Sequence, residues 1–274
     1  MCNPLAASGR SVLLAASIER LLREQQTAVT LFTHNWPETF TGFSDVFIVG
    51  GDGTLHFFVN HYPGITLPLS IFKGGTGNDF HWMLYGHQTT EQQVHTVLNS
   101  APRAIDLGRC NNRFFLNEAG IGFEGAVVKA LTGKKKRPGK ASFMLTVLKK
   151  IFTYRSAGYR LFVNGQQVNG KQLLADVSNG RRAGGGFHIA PESDPGDGLF
   201  DLVLAHALTP WQRLRYLPVI EKGKHLHLPF IQHIRTSRLR VESDSVIQYH
   251  LDGEYYEATE LDIELLPGKL QFRY

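Results

Sequence analysis

The sequence predicts a mixed α/β fold in two parts, an N-terminal three-layer α/β domain followed by a β-rich, sandwich-like domain. Three observations carry this expectation. Strand-like and helix-like segments alternate up to about residue 105. Two glycine-rich turns, Gly50-Gly51-Asp52-Gly53-Thr54 and Gly74-Gly75-Thr76-Gly77-Asn78-Asp79, each follow directly on an apolar run. Beyond residue 105, strand-like segments separated by short turns dominate.

Residues 11–25 carry Val12, Leu13, Ala16, Ile18, Leu21 and Leu22 at helical spacing and predict an amphipathic helix. Residues 28–33 (AVTLFT) and 46–49 (VFIV) read as strands. A short helical pattern follows the first glycine turn, then a strand at Leu67 to Phe72, the second glycine turn and a helix over 90–99. This alternation predicts a mostly parallel sheet. In the second part, strands are expected at 103–109, 113–117, 159–168, 171–178, 199–207, 235–242, 246–251 and 260–265. Helices are expected near 123–131 and 141–154, and a third starts at Thr209, an N-cap before Pro210.

The chain has 274 residues, enough for one large domain or two modest ones, with a formal net charge of +5. That balance suits an anionic partner without choosing among nucleotide, acidic membrane and nucleic acid. Two cysteines, Cys2 and Cys110, make neither a disulfide framework nor a metal-ligand spacing, which points to reduced thiols and the cytoplasm. No apolar run approaches the roughly 18–20 residues that span a bilayer, and no signal-peptide pattern opens the chain. Walker-type and G-x-S-x-G motifs are absent, and no His/Cys/Asp set has zinc-site spacing. The run Gly133 to Lys140 (GKKKRPGK) reads equally as a solvated loop or as a contact for anionic lipid.

The glycine turns carry the chemistry. In open α/β sheets ligands bind beyond the carboxyl ends of the strands, where both turns belong. Glycines permit close approach to a phosphate and unusual dihedrals, and successive N–H groups form an anion-binding concavity. Asp52 would repel a phosphate unless Mg²⁺ or water stood between them. Thr54 would offer a hydroxyl at the start of the following helix. A tight turn with an ordinary cap is the simpler reading, but no simple turn needs three glycines around an aspartate. Asp197-Gly198 and Asp252-Gly253 also read as plain hairpin turns, and Asp194 as a turn residue before Pro195. Asp106, inside an apolar strand, must be paired or protonated.

The pair GGDGT and GTGND resembles the bacterial diacylglycerol kinase and lipid kinase family, within the wider group of NAD kinases and phosphofructokinases. Further segments match in order: Asn3-Pro4 with Ser8-Gly9, Ile105-Asp106-Leu107-Gly108, Asn117 to Phe123, Asn179 with Gly185-Gly186 and Ala190-Pro191, Asp197-Gly198-Leu199-Phe200-Asp201, and Asp252-Gly253-Glu254. The resemblance implies an ATP-binding domain at 1–105 plus about 267–274, and a β-rich, lipid-acceptor domain at 106–266. It implies that ATP phosphates meet Gly50, Gly51, Asp52, Gly53, Thr54, Gly75, Thr76, Asn78 and Asp79, with Thr33 contacting the nucleotide. Glu254 becomes the general base, and Asp52, Asp79 and Asp106 an acidic network beside the metal and ATP. Asp194, Asp197 and Leu199 become a Mg²⁺ site. The expected acceptor is a lipid hydroxyl, reached from the cytoplasm with peripheral contact to an anionic membrane and no role for nucleic acid; homodimer formation stays open. Two departures stand out: few residues precede Asn3-Pro4, and His56 replaces the family's usual asparagine. They motivate one rival, a nucleotide or lipid sensor without turnover; the other is an NAD kinase-like activity, which shares GGDGT.

Overall fold

The computed structural model describes residues 1–132, 140–155, 158–168 and 170–274. Its helices are α1 (Arg10–Glu24), α2 (Asp52–His61), α3 (Asp79–Tyr85), α4 (Thr90–Asn99), α5 (Phe123–Leu131), α6 (Lys140–Thr153) and α7 (Pro210–Glu221). The strands are β1 (Val46–Gly50), β2 (Leu69–Lys73), β3 (Pro102–Cys110), β4 (Arg113–Phe115), β5 (Glu118–Gly122), β6 (Arg160–Val163), β7 (Gln166–Val168), β8 (Gln172–Ser178), β9 (Phe200–His206), β10 (Ile231–Thr236), β11 (Arg238–Leu251) and β12 (Glu254–Arg273). The chain divides into two compact units, Met1–Ile105 with Gly268–Tyr274, and Asp106–Pro267.

In the first unit β1 and β2 pair in parallel, from Val46 opposite Leu69 to Gly50 opposite Lys73. The end of β12 joins them, with Phe272 opposite Leu69. Ile48, Leu55, Phe58, Leu69, Ile71, Phe72, Phe80 and Phe272 are all shut off from water, and the Phe80 and Phe272 rings stand edge to face at 5.6 Å. α1 adds Ala15, Ile18 and Leu22, three positions on one helical face. Thr89 and Gln92 close a capping box on α4, satisfying two N–H groups at its start. The last residues are pinned: Tyr85 Oη donates to the Arg273 carbonyl at 2.7 Å, and Arg273 reaches Asp45 at 2.5 Å and the Ser100 carbonyl at 2.6 Å.

The expected strand at 28–33 is not formed. That run has no regular ladder, and its tie to the sheet is the Cys2 N–H donating to the Phe32 carbonyl. A cavity of about 640 Å³ separates it from β1, lined by Met1, Thr27 to Phe32 and Ser44 to Phe47 among others. β-propensity alone does not make a strand without a neighbouring edge to pair with. Met1 is buried here; its ammonium donates to the Phe47 carbonyl at 2.9 Å, and burial lowers its pKa to about 6.

The second unit is built on an antiparallel run β12–β11–β5–β8–β9–β10, with the β6–β7 and β3–β4 hairpins added. One face buries Ala119, Ile121, Ala175, Val177, Phe200, Leu202, Leu204, Tyr249 and Leu251 in a large apolar core. β11 bends at an irregularity between Glu242 and Ile247, so that its first half pairs with β6 and its second with β5. Of the two strands expected at 235–242 and 246–251, residues 238–242 and 246–251 are parts of one longer strand, β11, while Arg235 and Thr236 end β10. The strand expected at 159–168 is instead a hairpin, turned at Asn164-Gly165, both with positive φ. α7 starts as expected, with Thr209 and Gln212 in a capping box ahead of Pro210. The basic run Gly133 to Lys140 lies outside the described residues, apart from the backbone of Lys140. Among the described residues no helix is long and apolar enough to cross a membrane. Cys2 and Cys110 are buried free thiols.

Candidate active site

In the first unit the two glycine turns lie backbone to backbone. The Gly74 N–H donates to the Gly50 carbonyl at 2.8 Å. A Cβ on Gly75 would stand 2.4 Å from the Cα of Gly51, and one on Gly50 would meet the Thr54 side chain at 2.4 Å. Gly50, Gly51, Gly53, Gly74, Gly75 and Gly77 all lie outside the positive-φ region. Close approach, and not left-handed backbone, is what demands glycine here.

Asp52 ties the turns together. Its Oδ2 accepts from the Asp79 N–H at 3.0 Å and its Oδ1 from the Phe80 N–H at 3.1 Å, capping α3 from a distant part of the chain. Asn78, at φ 51°, closes the second turn through two bonds to the Gly75 backbone, at 2.9 and 2.8 Å. Asp79 is buried, and Thr76 is exposed at the turn. Thr54 is buried as the third residue of α2, where its Oγ1 accepts from the Asn3 amide at 3.0 Å, so it is an anchor for the Asn3-Pro4 turn. No side chain caps α2, whose first flanking residue is Gly51. Thr33 is half-buried in a bend and bonds His34 at 3.1 Å. His56 is buried within α2.

In the second unit Asp106 is buried, and its Oδ2 accepts from the Gly198 N–H at 2.8 Å. Asp197 accepts from the Leu199 N–H at 3.0 Å and pairs with Arg235. Asp194 accepts from the Gly196 N–H at 3.1 Å, an ordinary turn bond. In the Mg²⁺ site expected at Asp194, Asp197 and Leu199, Asp197 offers its side-chain carboxylate, which is paired here with the Arg235 guanidinium, while Asp194 and Leu199 would act through backbone carbonyls. Among the described residues no set of three His, Cys, Asp or Glu groups could hold a metal ion.

Asp252 and Gly253, at φ 50° and 85°, make the tight turn between β11 and β12. The Asp252 carboxylate accepts from the N–H groups of Leu116, Asn117 and Glu118 at 2.9, 2.8 and 3.1 Å. Asn179 donates to the carbonyls of both Leu116 and Asp106, at 2.8 and 3.0 Å. A continuous chain of bonds thus links the Asp106–Gly198 turn to the turn that presents Glu254, which is exposed. His250 steadies that turn from below, its Nδ1 accepting from the Gly253 N–H at 3.2 Å. That bond leaves the imidazole proton on Nε2, which lies 4.0 Å from Glu118. The roles of Asp252, Asn179, His250 and Arg235 were not read from sequence; only the first two sit in motifs that could have flagged them.

A buried acid pair sits on the polar face of this sheet. The Asp176 carboxylate is bonded by Ser178, and burial raises its pKa to about 6. Glu124 is half-buried as a residue, but its Oε2 is shut off from water. Burial first, and then the charge of Asp176, hold its carboxyl well above the usual range. Glu124 therefore holds its proton more tightly in the folded protein than in the unfolded chain, which loses it above about pH 4.5. Stability is full below that pH and falls as pH rises toward the folded pKa. Glu124→Gln keeps a donor for Asp176 without this cost. It should raise the melting temperature at pH 7, and by less at pH 5. Thermal unfolding at both values checks this, and a destabilisation equal at both pH values would refute the shared proton.

Comparison with known proteins agrees with this architecture. Residues 1–110 match the sequence profile of the diacylglycerol kinase catalytic domain, and residues 118–273 that of the YegS C-terminal NAD kinase beta sandwich-like domain. A diacylglycerol kinase of Mycobacterium tuberculosis is 29% identical over 288 residues, covering 99% of this chain and 93% of its own. A Pseudomonas putida protein described as a probable lipid kinase, YegS-like, is 32% identical over 234 residues, covering 84% of this chain and 76% of its own. The crystal structure of a diacylglycerol kinase from Bacillus anthracis has the same fold, with a TM-score of 0.77, 24% identity and coverage of 99% and 94%. By these matches along nearly its whole length, the chain belongs to the diacylglycerol kinase and YegS-like lipid kinase family.

Proposed function

We propose that the protein transfers the γ-phosphate of ATP to a hydroxyl of diacylglycerol or a related lipid. The observation that carries this reading is the start of α2. It has no side-chain cap, it opens from a turn whose glycines leave the backbone bare, and a helix N-terminus attracts phosphate. The exposed Thr76 adds a hydroxyl on the neighbouring turn, and Thr33 contributes to the nucleotide side. Asp52 and Asn78 shape the phosphate turns, and the buried Asp79 belongs to the same acidic set.

On the acceptor side, Glu254 is an exposed carboxylate on a rigid turn, suited to take the proton of an alcohol as its oxygen attacks phosphorus. Asp106 and Asp197 hold the adjoining turn through Gly198 and Arg235. Phosphoryl transfer needs positioning and charge neutralisation more than covalent help. The test is incubation of purified protein with labelled ATP, supplied as its magnesium complex, and diacylglycerol, phosphatidylglycerol, a sphingoid base or NAD. Label in a lipid product is expected. Label in NAD alone would mark a small-molecule kinase, and ATP binding in calorimetry without transfer to any acceptor would mark a sensor.

A further inference from the structure

The outer surfaces of α6 and α7 have a composition that the transfer chemistry does not explain. On α6, Leu145, Lys149 and Phe152 recur at helical spacing and are exposed, Leu145 by 69% and Phe152 by 50%. On α7, Trp211, Arg215 and Pro218, with Lys222 just past its end, do the same, and Trp211 is 72% exposed. The two stripes meet where the Trp211 and Phe152 rings stand edge to face, 5.5 Å between centroids at 82°. The helices are also clamped to each other. Arg213 donates to the carbonyls of Ile151 and Tyr154, at 3.1 and 3.0 Å, and to that of Leu208 at 2.9 Å. This binds the C-terminal end of α6 to the first turns of α7.

The inner sides of both helices are already satisfied. Met144, Val147, Leu148 and Ile151 of α6 pack with Leu214 and Leu217 of α7 and with Val127 of α5. The outer apolar residues therefore add nothing to the core. Water is a poor solvent for a rigid Trp–Phe pair flanked by leucine and proline. The charge around it has one sign: α6 contains no Asp or Glu, and α7 has only the half-buried Glu221 at its last position.

We infer that this α6–α7 face is a docking surface for an anionic lipid bilayer. Its aromatic and aliphatic residues enter the headgroup boundary, and Lys149, Arg215 and Lys222 lie against lipid phosphates. Tryptophan and leucine beside long cationic side chains, on the outer faces of helices lying side by side, is the chemistry of interfacial binding. A nucleic acid would have no use for Leu145 and Pro218, and no acidic residue on the stripes offers charge pairing to a mixed-charge protein surface. The inference deepens the lipid-kinase reading and takes its biological sense from it, but the binding is measured without nucleotide, so the two fail separately.

The experiment is cosedimentation of the full chain with vesicles of phosphatidylcholine, alone or with 30% phosphatidylglycerol. Wild type should bind the anionic vesicles at least tenfold more strongly, and high salt should weaken the binding. Phe152→Ser with Trp211→Ser, and separately Lys149→Glu with Arg215→Glu, should each lower the partition coefficient tenfold or more. Both pairs should leave the melting temperature and transfer to a short-chain acceptor in detergent micelles unchanged. Binding of both variants at the wild-type level overturns the inference. So does a concentration-dependent dimer that the same substitutions break, since a second copy would then cover the face. Anionic-vesicle binding that the substitutions abolish, in a protein that phosphorylates no lipid, sustains the surface and rejects the kinase reading.

Discussion

Glu254→Gln should lower phosphate transfer to a lipid hydroxyl by about 10²- to 10⁴-fold, the usual contribution of a positioned general base. ATP affinity should change little, because the role proposed for Glu254 is on the acceptor and it belongs to a different unit from the glycine turns. The melting temperature should hold, since Glu254 is exposed and surface substitutions shift stability by within about 0.5 kcal/mol. The neighbouring acid gives the contrast. Asp252 receives three backbone N–H groups, so Asp252→Ala should cost stability as well as activity. Steady-state transfer, ATP titration calorimetry and thermal unfolding of the two variants separate the roles. Full activity in Glu254→Gln would remove it from the chemistry.

Asp52→Ala should act the opposite way, through architecture before chemistry. The N–H groups of Asp79 and Phe80 each lose their carboxylate acceptor, and both residues are buried. Leaving two such donors unsatisfied costs about 2–4 kcal/mol, and the carboxylate at the α3 N-terminus is lost with them. A fall in melting temperature of roughly 5–15 °C is expected, with loss of ATP binding and of transfer. Asp52→Asn, which keeps one acceptor, should fall between alanine and wild type in stability. An Asp52→Ala protein that melts like wild type and still binds ATP would show that the carboxylate does not organise the turns.

Much of the fold was legible because local signals and tertiary partners agree. β1 and β2 are apolar runs that stop at glycine, α7 announces itself through Thr209 ahead of Pro210, and the capping boxes on α4 and α7 agree with the helical patterns that follow them. The misreadings have physical causes. Residues 28–33 have strand composition but little to pair with. The polar stretch Ser243 to Ser245 reads as a break between strands, yet β11 continues through it, its register with β12 shifting there. α3 was hidden because its capping acceptor, Asp52, lies far off in sequence.

At the candidate site, sequence pattern located the acids but not their work. Asp52, Asp106, Asp197 and Asp252 all accept backbone N–H groups, so each shapes a turn. Spacing along a chain cannot show which N–H a carboxylate will meet. Arg235, on a different strand, stands beside Asp197, a pairing that spacing along the chain does not announce. Glu124 and Asp176 carried no motif, and their unusual protonation arises only when the sheet and α5 enclose them.

The tail of β12 has a consequence for how the chain matures on the ribosome. Phe272 and Arg273 complete the first unit, yet they are made about 160 residues after Ile105. At synthesis rates of about 5–20 residues per second, the nascent first unit waits roughly ten to thirty seconds for its last strand. Throughout that interval the edge of β2 and the ring of Phe80 stay open, a window in which a chaperone, or another half-made chain, can reach them first.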